Sequence, residues 1–308
     1  MVKTMKRIYA VVPVYNRKNI TLNFLKKIKS ISNNSFILNI VVVDDASTDG
    51  TFEAISENYP DVTILKGNGN LWWTGGTNLG VKYALKQKSD YVLTINDDVE
   101  FEKNFLEEMV NTSNKFPGNI ICGLICHDEQ RDVVLSAGRY RAGFLGYKSP
   151  AKYQGCKASE IKDRYIESEL ESGYSMLIPK KVFDLAGLFD DRHFPHHMGD
   201  MDFVLRARKY NVKVIVDTHA RLYTETGDNY ISNFIVNENV KDILKNLFDI
   251  KSTIYWKTRC RYSFRHSIPR FLGVVAISHY LLRMIALLAI KGFFPKKIIM
   301  DIANRRYG

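Results

Sequence analysis

Three acidic clusters, Asp44-Asp45, Asn96-Asp97-Asp98 and Asp200-Met201-Asp202, each sit against an apolar run. The first two close the runs 40–43 and 91–95, and the third opens a helix-like stretch through Phe203, Leu205 and Ala207. In an open parallel sheet the strand C-termini share one edge, so carboxylates far apart in sequence converge there. Residues of these types at that spacing suit a divided site for a metal-bound phosphate. A single Asp after a strand is usually turn chemistry or a helix cap. Three such clusters in one chain favour the site.

Each cluster suits a different task. A carboxylate at Asp44 or Asp45 can accept hydrogen bonds from a ribose or from a pyrimidine N–H. Neither GxGxxG nor GxxxxGK[ST] occurs, so neither a dinucleotide fold nor a P-loop is supported, and a cation would have to meet any diphosphate charge. Asn96-Asp97-Asp98 can anchor that cation, because Mg2+ and Mn2+ accept one or two carboxylates plus water and diphosphate oxygens. Such an ion acts as a Lewis acid on a departing nucleoside diphosphate. Asp200 and Asp202 stand where a helix dipole favours negative charge. They are either two caps, or a general base beside a neighbour that orients the helix or an acceptor. His196 and His197 lie close by and can ligate a metal, although Pro195 implies a turn whose geometry the sequence leaves open.

The elements that must position these residues alternate. Strand-like runs at 8–12, 40–43, 62–65, 91–95 and 120–125 are separated by helical stretches at 20–31, 51–58, 77–87 and 103–115. That alternation predicts a parallel sheet with crossover helices. Asp49 sits in a Ser-Thr-Asp-Gly turn that suits the entry of the second helix. Beyond Cys126 the pattern predicts a hairpin or extended pair at 131–146, a polar loop at 147–166, a strand at 171–178 and helices at 180–186 and 200–210. A last strand follows at 212–216, with helices from 235 onward. The predicted fold is α/β, a mainly parallel mixed sheet flanked by helices with a C-terminal helical extension. Its domains divide as 1–230 and 231–308.

The 308 residues can bury a substantial core. The four cysteines lack CxxC spacing or a matching His pair, so a zinc site and a disulfide framework are not expected, and a reduced cytosolic chain fits. The segment before Pro13 is too short for a signal peptide. Net charge is +11, and residues 251–308 hold twelve Lys or Arg against one acid, Asp301, so the tail accounts for all of it. That tail also carries the apolar stretch 271–294, interrupted by His279, Arg283 and Lys291. An internal Arg disfavours spanning, and basic flanks favour a helix lying in an anionic membrane interface. The competing reading is a helix pair packed on the catalytic domain or on a second copy in a homo-oligomer. Nucleic acid is not expected, since no recognised binding motif accompanies the charge.

The succession of motifs resembles a known family. Val11-Val12-Pro13-Val14-Tyr15-Asn16-Arg17, Val42-Val43-Asp44-Asp45-Ala46-Ser47-Thr48-Asp49-Gly50-Thr51, Asn96-Asp97-Asp98 and Gly199-Asp200-Met201-Asp202-Phe203-Val204-Leu205-Arg206 resemble, in order, the family 2 glycosyltransferases of the GT-A fold. The likeness covers about residues 6–225. Gly187-Leu188-Phe189-Asp190 and Ser172-Gly173-Tyr174-Ser175-Met176-Leu177-Ile178 are similar to the segment before the catalytic helix in bacterial polysaccharide members of rhamnosyltransferase type.

The resemblance implies roles. It puts Pro13, Val14, Tyr15, Asn16 and Arg17 on the donor side, Asp45 against the nucleobase, Asp97 near the ribose after Asn96, and Asp98 on Mg2+ or Mn2+. It makes Asp200 the catalytic base, with Asp202, Gly173 and Tyr174 on the acceptor side. Asn70-Leu71-Trp72-Trp73-Thr74-Gly75-Gly76-Thr77-Asn78-Leu79-Gly80 resembles a donor-side loop and helix, which adds Trp73, Gly76 and Asn78. Two departures stand out: Thr224 occupies a position where many relatives carry a metal-site His, with His219 the nearest histidine upstream, and Asn96 replaces Asp.

The implied activity is inverting transfer of a sugar from a UDP- or dTDP-sugar to a hydroxyl of a saccharide or lipid-linked acceptor. It would serve cell-surface polysaccharide synthesis at the cytoplasmic face of the cell membrane. The alternatives are a sugar nucleotidyltransferase, whose Gly-rich basic loop 13–17 does not supply, and a non-catalytic scaffold that binds nucleotide sugars.

Overall fold

The computed structural model describes residues 5–31, 35–142, 147–225, 239–267 and 269–293. The chain divides into two compact units, one of residues 1–140 with 150–225 and one of residues 141–149 with 226–308.

In the first unit, β1 (Lys6–Val14), β2 (Phe36–Asp44), β3 (Thr63–Lys66) and β4 (Tyr91–Ile95) pair in parallel in the order β4-β1-β2-β3. Their centres are β-branched and bury both faces: Val11, Val12, Val41, Val42, Val43 and Val92 are wholly inaccessible. Each such side chain contributes about 1.5–3 kcal/mol by leaving water, and a strand buried on both faces reads as the continuous apolar run seen in the sequence. β11 (Ser175–Pro179) then runs antiparallel to β4 and to β6 (Ile120–His127), and β12 (Val214–Thr224) lies parallel to β6.

This order brings the C-termini of β1, β2, β4, β6 and β12 and the N-terminus of β11 to one edge of the sheet. Val14 and Asp44 are register partners at that edge, as are Ser175 and Ile95. The helices α1 (Lys18–Lys29), α2 (Thr51–Asn58), α3 (Trp72–Lys86), α4 (Phe105–Lys115), α5 (Lys180–Ala186) and α6 (Gly199–Arg208) make the crossovers and layers. At Gly80 a Cβ would stand 2.4 Å from Val11 Cγ1, so the approach of α3 to the sheet requires glycine there.

The structure adds to or departs from sequence expectation beyond Cys126. The polar stretch 147–166 holds β9 (Tyr147–Ala151), a short 3-10 turn at Ala158–Glu160 and the start of β10 (Tyr165–Ser168). Its lack of apolar alternation reflects edge positions: among the described residues β10 pairs with β12 at the end of the sheet, while β9 pairs with β8 (Arg139–Ala142) in a separate ribbon. The run at 131–146 supplies β7 (Val134–Ser136), which pairs with β6, and that β8. Finally, β12 continues to Thr224 through an irregularity between Asp217 and Arg221. Asp217 is fully buried there and accepts hydrogen bonds from Thr112 Oγ1 at 2.5 Å and Arg164 Nε at 3.3 Å, which satisfies a charge that periodicity alone would place at a turn. A two-residue strand, β5 (Glu100–Phe101), pairs with the end of β12.

The second unit holds α7 (Val240–Phe248), α8 (Trp256–His266) and α9 (Leu272–Phe293). Asn239 caps α7 by accepting the Asp242 N–H at 2.9 Å. Ile243, Ile254 and Met284 form a small core with Leu247, Tyr280 and Leu288, and the Tyr280 hydroxyl donates to Ile254 O at 2.6 Å. The opposite face of α9 is apolar and exposed through Val274, Val275, Leu281, Leu282, Ile285 and Phe293. Among the described residues, α9 is the helix long and apolar enough to cross a membrane. The first residues of the expected helical region, 235–238, and the basic cluster at 296–306 lie outside the described residues.

Candidate active site

The loop after β1 and the loop after β2 are tied together at the sheet edge. Asn16, at a left-handed φ of 52°, donates its N–H to Ser47 Oγ at 2.8 Å and accepts the Thr48 N–H at 2.7 Å. Asp49 accepts the Lys18 N–H at 3.0 Å and the Thr51 N–H at 3.0 Å, so one carboxylate serves the starts of both α1 and α2. Those side-chain bonds, with Thr51 Oγ first, hold the exposed Asp49 below the usual carboxylate range.

The second acid of the first cluster is more occupied still. Asp45 Oδ1 accepts the Gly69 N–H at 2.8 Å, and Oδ2 accepts the N–H groups of Leu71 at 2.8 Å and Trp72 at 3.1 Å. Gly67 fits against it so closely that a Cβ would meet Asp45 Oδ1 at 2.4 Å. Asp45 therefore builds the loop that leads into α3, and an added base contact has only the remaining lone pair of Oδ1. Asp44 lies buried beside it and accepts the Ser47 N–H at 3.1 Å.

Four residues expected on the donor side, Pro13, Val14, Gly76 and Asn78, make packing contacts within the fold. Val14 is buried in the core. Asn78 is 3% exposed and pairs both amide atoms with the Phe189 backbone, donating to its O at 2.8 Å and accepting its N–H at 3.0 Å. A Cβ on Gly76 would stand 3.0 Å from Pro13 Cβ, so Gly76 and Pro13 seat α3 on the sheet. Tyr15, by contrast, is half exposed at the rim.

After β4 the chain turns through Asn96, Asp97 and Asp98. Asp97 is buried and accepts the Thr21 hydroxyl on Oδ2 at 2.7 Å, while Oδ1 has only the less well aligned Arg17 Nη1 at 3.2 Å. Burial pushes Asp97 up from the usual carboxylate range against the pull of Arg17 and Thr21. Asp98 is 39% exposed along its side chain and meets Arg17 Nη2 at 2.9 Å through Oδ2. Burial works against the Arg17 charge, but Asp97 and Asp98 overcome it and hold the guanidinium above its ordinary value. Thr21 was not singled out from sequence. Its signal was the i, i+4 spacing from Arg17, which puts both residues on one side of the helix start.

The third cluster opens α6, whose preceding residue Met198 has a left-handed φ of 67°. Asp200 Oδ2 accepts the Gly173 N–H at 2.6 Å, and Oδ1 accepts the Met201 N–H at 2.8 Å. Asp202 is fully buried and ion-paired with Arg206 Nε at 2.8 Å, and Arg206 in turn donates to the carbonyls of Ala186 and Leu188. Asp202 thus ties the first turn of α6 to Arg206. Trp73 links the second cluster to the third. Its indole N–H donates to Asn96 Oδ1 at 2.9 Å, and its ring edge lies where a Gly173 Cβ would stand, 2.8 Å from Cζ2 and 3.3 Å from Asp200 Cβ. Tyr174 O accepts the Asn96 N–H at 3.4 Å, which closes the same circuit through backbone.

Among the described residues no three His, Cys, Asp or Glu side chains gather as a metal cage. His196 and His197 pack ring against ring at 4.5 Å, with Trp72 5.9 Å from His196. Thr224 ends β12 opposite His127. An ion here would have the carboxylate of Asp98 as its protein ligand, a hard oxygen donor that suits a divalent ion completed by water and diphosphate. The donor set suits a hard divalent ion.

Comparison with known proteins identifies the family and the fold. The model of Glycosyl transferase family 2 matches residues 9–168, just over half of the chain, and the chain belongs to that family. It is 24% identical over 181 residues to the low-salt glycan biosynthesis hexosyltransferase Agl10 of Haloferax volcanii, covering 58% of this chain and 56% of that protein. It is 22% identical over 182 residues to the N-acetylglucosaminyl-diphospho-decaprenol L-rhamnosyltransferase of Mycobacterium tuberculosis, covering 54% and 59%. The matches thus span a little over half the length of these curated relatives.

Among solved structures, the mannosyltransferase PcManGT of Pyrobaculum calidifontis, in complex with GDP-Man and Mn2+, superposes with a TM-score of 0.54. It is 15% identical, over 98% of this chain and 81% of that one. TarS 1–349 of S. aureus, in complex with UDP, superposes with a TM-score of 0.51 at 16% identity over 85% and 72%. The fold is the GT-A fold of these glycosyltransferases.

Proposed function

We propose that this chain is an inverting glycosyltransferase that moves a sugar from a UDP- or dTDP-sugar to a hydroxyl of a saccharide or lipid-linked acceptor in cell-surface polysaccharide synthesis. The observation that carries the reading is the meeting at one sheet edge of Asp98, half exposed with one oxygen still open, and Asp200, joined to it through Asn96, Trp73 and Gly173. Asp98 would hold Mg2+ or Mn2+, whose chemistry is to neutralise charge on the departing diphosphate. Asp200, held by two backbone N–H groups, would take the proton of the attacking hydroxyl as that oxygen reaches the anomeric carbon from the face opposite the leaving group. A base so placed contributes about 10² to 10⁴ in rate. Asn16, Arg17 and Tyr15 would line the donor side, and Gly173 and Tyr174 the acceptor side.

In this reading residues 1–230 carry catalysis. Residues 231–308 carry a peripheral contact with the inner face of the cell membrane through the apolar face of α9 and its basic surroundings. That arrangement would bring the site to a lipid-linked acceptor, and co-sedimentation with anionic but not neutral liposomes is its expected signature.

The test of the activity is nucleoside diphosphate release from a panel of UDP-, dTDP- and GDP-sugars with and without Mn2+. The expected result is metal-dependent release from one uridine or thymidine donor, lost in Asp98→Ala. Release that ignores both metal and substitution would overturn the reading.

A further inference from the structure

The Arg17 guanidinium clasps the two adjacent carboxylates of the second cluster, Nη1 toward Asp97 Oδ1 at 3.2 Å and Nη2 on Asp98 Oδ2 at 2.9 Å. It is placed to do so by Asn16, whose left-handed backbone is pinned to Ser47 and Thr48, and by the start of α1, which also carries Thr21 to the far oxygen of Asp97. The two halves of the clasp differ. Asp97 is 1% exposed along its side chain and locked by Thr21, whereas Asp98 is 39% exposed and Arg17 34%. The Arg17–Asp98 contact is therefore the one that can open, and it opens at the sheet edge where a diphosphate would lie.

A cation that neutralises two acids before any metal arrives has a definite consequence. Two carboxylates side by side attract a divalent ion strongly, and a guanidinium a few ångströms away repels it, since unit charges about 4 Å apart interact appreciably even near a solvated surface. Guanidinium also meets diphosphate oxygens in bidentate fashion, as it does carboxylate. We propose that Arg17 is the site's resident counter-cation: it shields Asp98 from a divalent ion while the donor is absent and transfers to the diphosphate when the donor arrives, so that metal and donor bind as a coupled pair. This rests on the reading of Asp98 as the metal ligand. Because such coupling is reciprocal, it appears in equilibrium binding without any turnover.

The test is Mn2+ binding followed by electron paramagnetic resonance, with and without UDP, and UDP binding in EDTA by calorimetry. In the wild-type chain Mn2+ binds weakly alone and about tenfold or more tighter with UDP. In Arg17→Gln the two single affinities move in opposite directions: Mn2+ alone binds about tenfold tighter, UDP in EDTA binds about tenfold weaker, and the coupling shrinks. Arg17→Lys keeps a charge beside Asp97, so it tests the idea should the Gln variant fail to fold; it should tighten Mn2+ binding by about threefold. Mn2+ affinity unchanged or weakened in both variants would overturn the proposal and leave Arg17 a structural tie. Asp98→Asn separates the two levels of the argument. Loss of Mn2+ binding there is expected, whereas Mn2+ retained in Asp98→Asn would remove the metal reading itself and the Arg17 proposal with it.

Discussion

Asp45 and Asp98 both follow a buried parallel strand, and both end an Asp-Asp pair, yet the structure gives them opposite surroundings. Asp45 is 7% exposed and receives three backbone N–H groups from residues 69–72. Asp98 is 39% exposed along its side chain and, among the described residues, pairs with the Arg17 side chain. A strand-end carboxylate becomes a loop builder when the next segment folds back over it with free N–H groups. It stays available when the chain turns away, as it does after Asp98 into β5. Sequence motifs mark both as acids at the sheet edge, and the count of internal N–H partners separates them.

That contrast is open to direct challenge. Asp45→Ala leaves three N–H groups without their acceptor, and an unmet buried donor costs about 1–3 kcal/mol. Its melting temperature should fall by several degrees, whereas Asp98→Ala should keep its melting temperature and lose metal-dependent turnover. Equal thermal losses in the two variants would break the distinction. A smaller effect is expected at Gly173, where an added methyl would press on Trp73 at 2.8 Å and approach Asp200 Cβ at 3.3 Å. Gly173→Ala should lower turnover by about tenfold while leaving nucleotide affinity within about twofold, measured by initial rates and calorimetry. Unchanged turnover would show that the Trp73–Gly173–Asp200 contact does not position the base.

The parallel half of the fold was legible because buried strands in an α/β sheet write themselves as uninterrupted β-branched runs; 91–95 and 51–58 match β4 and α2 end to end. The edge ribbon at 147–151 and the extension of β12 were not, since edge strands carry polar residues and the irregularity at Asp217 depends on partners, Thr112 and Arg164, that lie far away in sequence. The gathering of acids at one edge of the sheet was legible. What sequence could not reveal was occupancy: Asn78 and Asp202 have the residue types of a binding site, but Phe189 and Arg206 take up their polar atoms. Trp73 carried a visible signal of another kind, an aromatic with a polar handle next to a glycine-rich helix start, and its partner Asn96 lies in the next motif.

The central claim is that Asp200 removes the acceptor proton at a site assembled independently of it. The direct test is Asp200→Asn, with sugar transfer to a lipid-linked saccharide and donor binding measured on the same preparation. The account predicts transfer lower by about 10² to 10⁴ with donor affinity retained, since the amide keeps the shape and one of the two backbone N–H bonds but cannot take a proton. Transfer preserved in Asp200→Asn, or donor affinity lost in step with transfer, would contradict it.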